Sequence, residues 1–129
     1  MGKPIARLQL TALDCPDPVA LAAFYSEITG WAATRPHEDH PEWVQLAAPD
    51  NAVTLAFQRV ENYSAPQWPG QVHPQQLHLD FLVSDLDAGE AGVLAAGAVK
   101  HEFQPAPDSF RIYLDPAGHP FCLVLESVS

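Results

Sequence analysis

The chain has 129 residues, enough for one compact domain, and its 47% hydrophobic content is ordinary for a globular fold. Six Lys and Arg against 16 Asp and Glu leave a net charge of -10, which repels phosphate backbones and sets the chain against nucleic acid as a partner. No apolar run is long enough to span a bilayer, and the opening residues lack the apolar stretch of a secretory signal. The expectation is a cytoplasmic protein with no membrane partner. Alternation predicts a strand over Ile5 to Leu13, stopped by Cys15-Pro16-Asp17-Pro18. Asp17 is a natural N-cap with Pro18 at the first helical position, and the helix that follows places Leu21, Phe24, Tyr25 and Ile28 on one face before Gly30 ends it. Trp31 opens the next strand, and Glu42 to Ala47 and Ala52 to Val60 supply two more. After a Pro- and Gly-rich linker, a strand is expected over Gln76 to Val83, with a helix capped by Ser84 or Asp85. Leu86, Val93, Leu94 and Ala98 form the apolar side of this helix, and Gly97 closes it. His101 to Gln104, Phe110 to Leu114 and Pro120 to Ser127 give the last strands.

This order repeats. A displacement of about 67 positions lays Asp17 on Asp85, Gly30 on Gly97, and the turn Pro49-Asp50-Asn51 on Pro116-Ala117-Gly118. The reading is an α+β fold: a single domain over 1–129, with one βαβββ module over about 5–60, a linker over 61–75 and a second module over about 76–127. The two modules are expected to form a curved mixed sheet around a cleft, helices outside, because half-chains of this length bury too little surface to stand alone. Cys15 and Cys122 are far apart and form no C-x-x-C pair, which reads as two reduced, buried thiols.

The stretch Leu13-Asp14-Cys15-Pro16-Asp17-Pro18, then Leu21-Ala22 with Phe24-Tyr25 and Gly30-Trp31, resembles the opening module of the vicinal-oxygen-chelate superfamily. Leu77-His78-Leu79-Asp80-Phe81 with Val83 and Asp85, and later Tyr113 with Asp115-Pro116 and Gly118-His119-Pro120-Phe121, is similar to its second module. Small glyoxalase-like, bleomycin-resistance-type proteins are the nearest match in pattern. The resemblance implies the glyoxalase/bleomycin resistance/dihydroxybiphenyl dioxygenase-like fold and specifies the reaction weakly, because that superfamily hosts isomerases, lyases, dioxygenases, transferases and drug-sequestering proteins. It also implies one divalent metal held by four inward side chains and acting as a Lewis acid on two substrate oxygens.

The repeat locates those four positions. His78 stands seven residues before Asp85, and its counterpart before Asp17 is Leu10; Cys122 follows Gly118 by four, and its counterpart after Asn51 is Leu55. Two leucines offer no donor, so the usual four-ligand set is not matched and no cofactor is firmly implied. His78 with Cys122 makes a partial metal site suited to a soft-tolerant ion such as zinc. A one-residue slip would bring Gln9 or Thr11 into the place of Leu10. Gln58 and Glu126 are fallback donors.

His78 is the candidate catalytic residue, as a general base or an oxygen anchor, because imidazole exchanges protons near neutral pH. Trp31, Trp43, Phe57, Trp68 and Tyr113, with Arg111 for an anionic group, are the candidate ligand-binding residues of an apolar site for a flat molecule. Arg111 has surface carboxylates as its other reading, and His119 a role in its turn. His37-Glu38-Asp39-His40 reads as a solvated loop. The leading expectation is a protein that binds a small, largely apolar organic molecule, as a sequestering, resistance-type protein or a metal-independent acid–base catalyst. The alternatives are a metal-dependent lyase, isomerase or dioxygenase using His78, and a non-catalytic interaction module. An isologous homodimer is the ordinary assembly for such proteins.

Overall fold

A computed structural model of the chain describes residues 4–34, 36, 38–51 and 54–126. It divides into two compact units, residues 1–61 and 62–129, so that all but the first residue of the segment expected to be a linker belongs to the second unit. The expected positions His37, Ala52, Val53 and Ser127 lie outside the described residues.

In the first unit the order is β1 (Leu10–Cys15), α1 (Pro18–Thr29), β2 (Ala32–Ala33), β3 (Trp43–Ala47) and β4 (Thr54–Arg59), with a short helical turn at Pro49–Asn51. The strands form a four-stranded mixed sheet in the order β1-β4-β3-β2, in which β1 runs parallel to β4 and the other pairs are antiparallel. Asp17 caps α1 by accepting from the amide of Ala20 at 3.1 Å, and Gly30 ends it in a left-handed conformation. The face of α1 against the sheet is Leu21, Ala22, Phe24 and Tyr25, all buried; the Tyr25 ring stacks on Phe57 of β4 at 5.7 Å. The first strand starts later than its alternation suggests. Leu10 is the first residue with a partner, Thr54, and Ile5 and Leu8 are exposed.

The second unit repeats the plan with β5 (Leu79–Val83), α2 (Leu86–Ala96), β6 (Val99–Lys100), β7 (Phe110–Leu114) and β8 (Pro120–Leu125). Its sheet order is β5-β8-β7-β6, again with the first strand parallel to the last. Asp85, not Ser84, is the N-cap, accepting from the amides of Asp87 and Ala88. The helix lies close on the sheet at Gly89, where a β-carbon would meet Val83 Cγ1 at 3.0 Å and Leu123 Cδ1 at 3.1 Å. Leu86 and Val93 are the buried residues of α2, whereas Leu94, expected on the apolar side, is exposed.

The sixth strand differs most from expectation. His101 to Gln104 is loop, and the strand is the pair Val99–Lys100 before it. The amide of His101 still donates to the carbonyl of Ile112 at 3.0 Å. Beyond that, Gln104 substitutes a side chain for backbone: its Nε2 donates to the carbonyls of Ile112 and His101, both at 2.8 Å, and its Oε1 accepts from the amide of Ile112 at 3.0 Å. The β7–β8 turn is organised by buried Asp115, whose Oδ1 accepts from the amides of Ala117 and His119 at 2.8 and 3.0 Å. Gly118 takes φ +87° there, and a β-carbon on it would lie 2.7 Å from Ala65 Cβ, so this position admits no side chain.

Among the described residues, no helix is long and apolar enough to cross a membrane.

Candidate functional site

The second sheet has two chemically different faces, assigned by strand alternation. On one face, against α2, lie Phe81, Val83, Phe121, Leu123, Arg111 and Tyr113. The polar members of this face tie the sheet to the helix. Tyr113 donates its hydroxyl to Glu90 Oε1 at 2.9 Å, and the Lys100 ammonium meets the same oxygen at 2.9 Å. Arg111 pairs with Asp87 at 2.9 Å and Glu90 at 3.5 Å, and donates Nε to the carbonyl of Pro107. The Lys100 hydrogen bond, against the opposing effect of burial, holds the Glu90 carboxyl below its ordinary range. Burial first, then Glu90, pushes the Tyr113 phenol well above its own.

Three expected ligand-binding residues are therefore committed elsewhere. Tyr113 is fully buried with its hydroxyl on Glu90, Arg111 is taken by carboxylates of α2, and Phe57 is fully buried beneath Tyr25 of α1. Trp31 and Trp43 are half-buried in the first unit, beside α1 and at the start of β3. His119 joins Tyr63, whose hydroxyl lies 3.2 Å from its Nε2, in keeping with a role in the turn.

The other face of the second sheet carries the candidate site. His78 stands immediately before β5, and Asp80 follows two residues later on the same face, so alternation brings their side chains together: Nε2 to Oδ1 is 3.3 Å. The parallel ladder pairs Asp80 with Cys122 of β8. The nitrogen, oxygen and sulfur donors of His78, Asp80 and Cys122 all lie within 4.8 Å of one another. Cys122 is buried, and its thiol is pushed up to about 12 by burial first and by the Asp80 carboxylate second. His78 and Asp80 are open to solvent, their side chains 32% and 57% exposed.

Trp68 braces this group. Its ring stacks on His78 at 5.1 Å and 14°, with Phe103 set edge-on at 6.2 Å. Trp68 also helps line an open cavity of about 440 Å³ in the 67–75 segment, shared with Gln67, Gln71 and Gln75. Leu82, two residues past Asp80 and so on the same face, is 69% exposed.

The superfamily's four-donor metal set does not fit this chain. In the first unit β1 and β4 pair in a register that puts Cys15 opposite Arg59, as Val83 is opposite Leu125 in the second. Counting back along each ladder, Leu10 holds the place of His78, Ala12 that of Asp80, and Ala56 that of Cys122. The residue expected as the counterpart of Cys122, Leu55, shares its face with Phe57, which packs on Tyr25 of α1. One extra residue between the first turn and its strand produces this slip, which spacing from the turn alone conceals. Leu10 keeps its expected place, so neither Gln9 nor Thr11 replaces it. No donor atom is present at any of the three first-unit positions. Of the fallback donors, Glu126 falls away from His78. Glu126 bonds its amide to Val83 at the far end of β5, about 16 Å along the strand from His78 at roughly 3.3 Å per residue. Gln58 is exposed on β4, facing Trp43 and Asp14 across the ladder. What remains is a three-donor group inside the second unit, and Asp80 is its member that sequence spacing did not single out.

The chain belongs to the glyoxalase-like domain family, which matches residues 11–124, and so to the vicinal-oxygen-chelate superfamily. No curated protein matches it in sequence. Among solved structures it is similar to a glyoxalase/bleomycin resistance protein/dioxygenase family enzyme from Burkholderia phytofirmans PsJN, at 19% identity and TM-score 0.67, over 93% of this chain and 98% of that one. It is also similar to a glyoxalase-related enzyme from Fulvimarina pelagi, at 22% identity and TM-score 0.63, over 95% and 89% of the two chains. The oxidase ChaP-H2 matches at 20% identity and TM-score 0.63, over 98% of each chain. At these identities the likeness speaks for the fold alone.

Proposed function

We propose that this chain binds a small, largely apolar organic molecule on the face of the second sheet that carries His78, either to sequester it or to exchange a proton with it. The observation that carries this reading is the His78 imidazole held between the Trp68 ring at 5.1 Å and the Asp80 carboxylate at 3.3 Å, still open to solvent. Trp68 and exposed Leu82 supply apolar surface for a flat ligand, and the cavity beside Trp68 is within the usual size of small-molecule sites. The His78 ring faces the Asp80 carboxylate through Nε2, 3.3 Å away, and keeps Nδ1 for a ligand. It can take a proton from a bound acid and return it, while Asp80 steadies the imidazolium in between.

A thermal-shift screen of the purified protein against aromatic antibiotics, thiol conjugates and short oxo-acids tests this. A ligand at 100 times its Kd stabilises the folded state by about 2.7 kcal/mol. Trp68→Ala and His78→Ala are each expected to abolish the shift while leaving the protein folded. Hits that persist undiminished in both variants would place binding elsewhere and overturn the reading.

A further inference from the structure

We infer that the closed loop of residues 67–75 recognises the polar end of the ligand, and that it takes a planar, uncharged group with an N–H donor beside an acceptor, as in an aromatic carboxamide or lactam. The inference rests on the reading of Trp68 as part of the ligand surface and names the chemical class that this reading leaves open.

The loop is shaped by its own backbone. The amide of Gln67 donates to the carbonyl of His73, and the carbonyl of Gln67 accepts from the amide of Gln75 at 3.2 Å, so the two ends are pinned together. Compact loops with joined ends are frequent carriers of function. The cavity of about 440 Å³ is lined within this one segment, so its walls do not depend on how distant elements meet. Gly70 belongs to the shaping. A β-carbon there would lie 3.1 Å from Gln67 Cβ and 3.2 Å from Gln67 Oε1, so glycine leaves room for that carboxamide.

The lining selects by chemistry. Three carboxamides, those of Gln67, Gln71 and Gln75, stand among the rings of Trp68, Pro69 and Pro74, and none of the described residues that line the cavity is charged. An ion finds no counter-charge there, and a chain of net charge -10 repels an anion in addition. The rings suit a flat ligand, and Trp68 is braced for the purpose by the His78 ring stacked on it at 5.1 Å. A carboxamide carries donor and acceptor side by side, and its complement is a group with the same pair in reverse. Gln75 sets the polarity. Its Oε1 is buried and has no hydrogen-bond partner among the described residues. A buried acceptor left unserved costs more than an ordinary hydrogen bond returns. Gln75 as a whole is half-buried, so rotation about its side-chain torsions carries this oxygen to the cavity, where a ligand N–H removes the cost. A ligand that keeps the ring but lacks the N–H leaves the oxygen unserved and is rejected.

Benzamide titration of full-length, isotope-labelled protein tests this, followed by NMR at the side-chain amide and indole signals. Saturable shifts of the Gln67, Gln71, Gln75 and Trp68 side-chain signals are expected. N,N-Dimethylbenzamide, which lacks the N–H, and benzoate, which adds a charge, should each bind more weakly by about tenfold or more. Gln75→Leu should bring benzamide down to the level of N,N-dimethylbenzamide without lowering the melting temperature, because it removes an unserved acceptor; a residue that merely held the loop would lower it. Gly70→Ala, whose β-carbon presses on Gln67, should weaken benzamide binding in a folded protein. Loop signals that do not move, equal binding of the two amides, or discrimination that survives Gln75→Leu overturns the inference. Hits in the broader ligand screen without amide discrimination would sink this inference alone, and amide discrimination without such hits would sink the reading of the His78 face alone.

Discussion

Cys122 carries its thiol in the sheet with a buried side chain and a carboxylate beside it, the reverse of the electropositive surroundings that make a cysteine reactive. Its proton is held up to about 12, whereas an unfolded cysteine gives its proton up near 8.5. A raised folded value contributes stability that is full below about 8.5 and is lost as pH rises toward 12. Tyr113, raised for the same first reason, acts in the same direction. Thermal midpoints measured between pH 8 and 11 should therefore fall with pH, and less steeply in Cys122→Ala; iodoacetamide at pH 8 should label Cys122 only on unfolding. His78 and Cys122 were legible because each stands at a fixed spacing from a capping Asp or a turn Gly. Asp80 was equally legible as the i+2 neighbour of His78 on one strand face, but a solvent-exposed acid in an acidic chain carries no mark of its own. Phe57 and Tyr113 misled because an aromatic in a strand reads alike whether it faces a ligand or a helix.

The helices are the elements that local chemistry specifies most directly. Asp17-Pro18 and Asp85 supply acceptor side chains at two helix starts, and Gly30 and Gly97 mark both ends. Asp85→Ala is expected to destabilise the protein by about 1 kcal/mol, read as a shift in the urea midpoint with an unchanged slope. The strands were placed well where a ladder partner coincides with the alternation, as at Phe110–Leu114, and poorly where it does not. Ile5 to Gln9 alternate but stand outside the ladder, which begins at Leu10 opposite Thr54. The sequence at 101–104 reads as a strand, but the ladder ends at Lys100, His101 adds one backbone hydrogen bond and Gln104 only its side chain, and a glutamine's non-local bonding leaves no periodic trace. The slip between Leu55 and Ala56 has the same origin. A turn that gains one residue preserves every local signal and reverses the face that each later residue presents.

At the scale of the whole molecule the duplication is intact in architecture and lopsided in chemistry. Both units keep the same sheet order and the same parallel first–last pairing, while of the corresponding positions only those of the second carry donors: His78, Asp80 and Cys122 against Leu10, Ala12 and Ala56. The shared plan was readable from the repeated caps and turns, which fix backbone conformation, and the division of labour from the donors' identities. The excess of 16 acids over six bases repels itself in the folded state. Raising sodium chloride from about 0.01 to 0.5 M shortens the screening length several-fold and is expected to raise the melting temperature by a few degrees, as differential scanning calorimetry would record. Gln104 bears on how copies of the molecule behave toward each other. By satisfying both the amide and the carbonyl of Ile112, its carboxamide serves as a counterfeit peptide unit on the open flank of β7. A flank so occupied gives an incoming strand nothing to zip onto. One amide thus closes this stretch of β7, at the place where the protein's own sixth strand falls short.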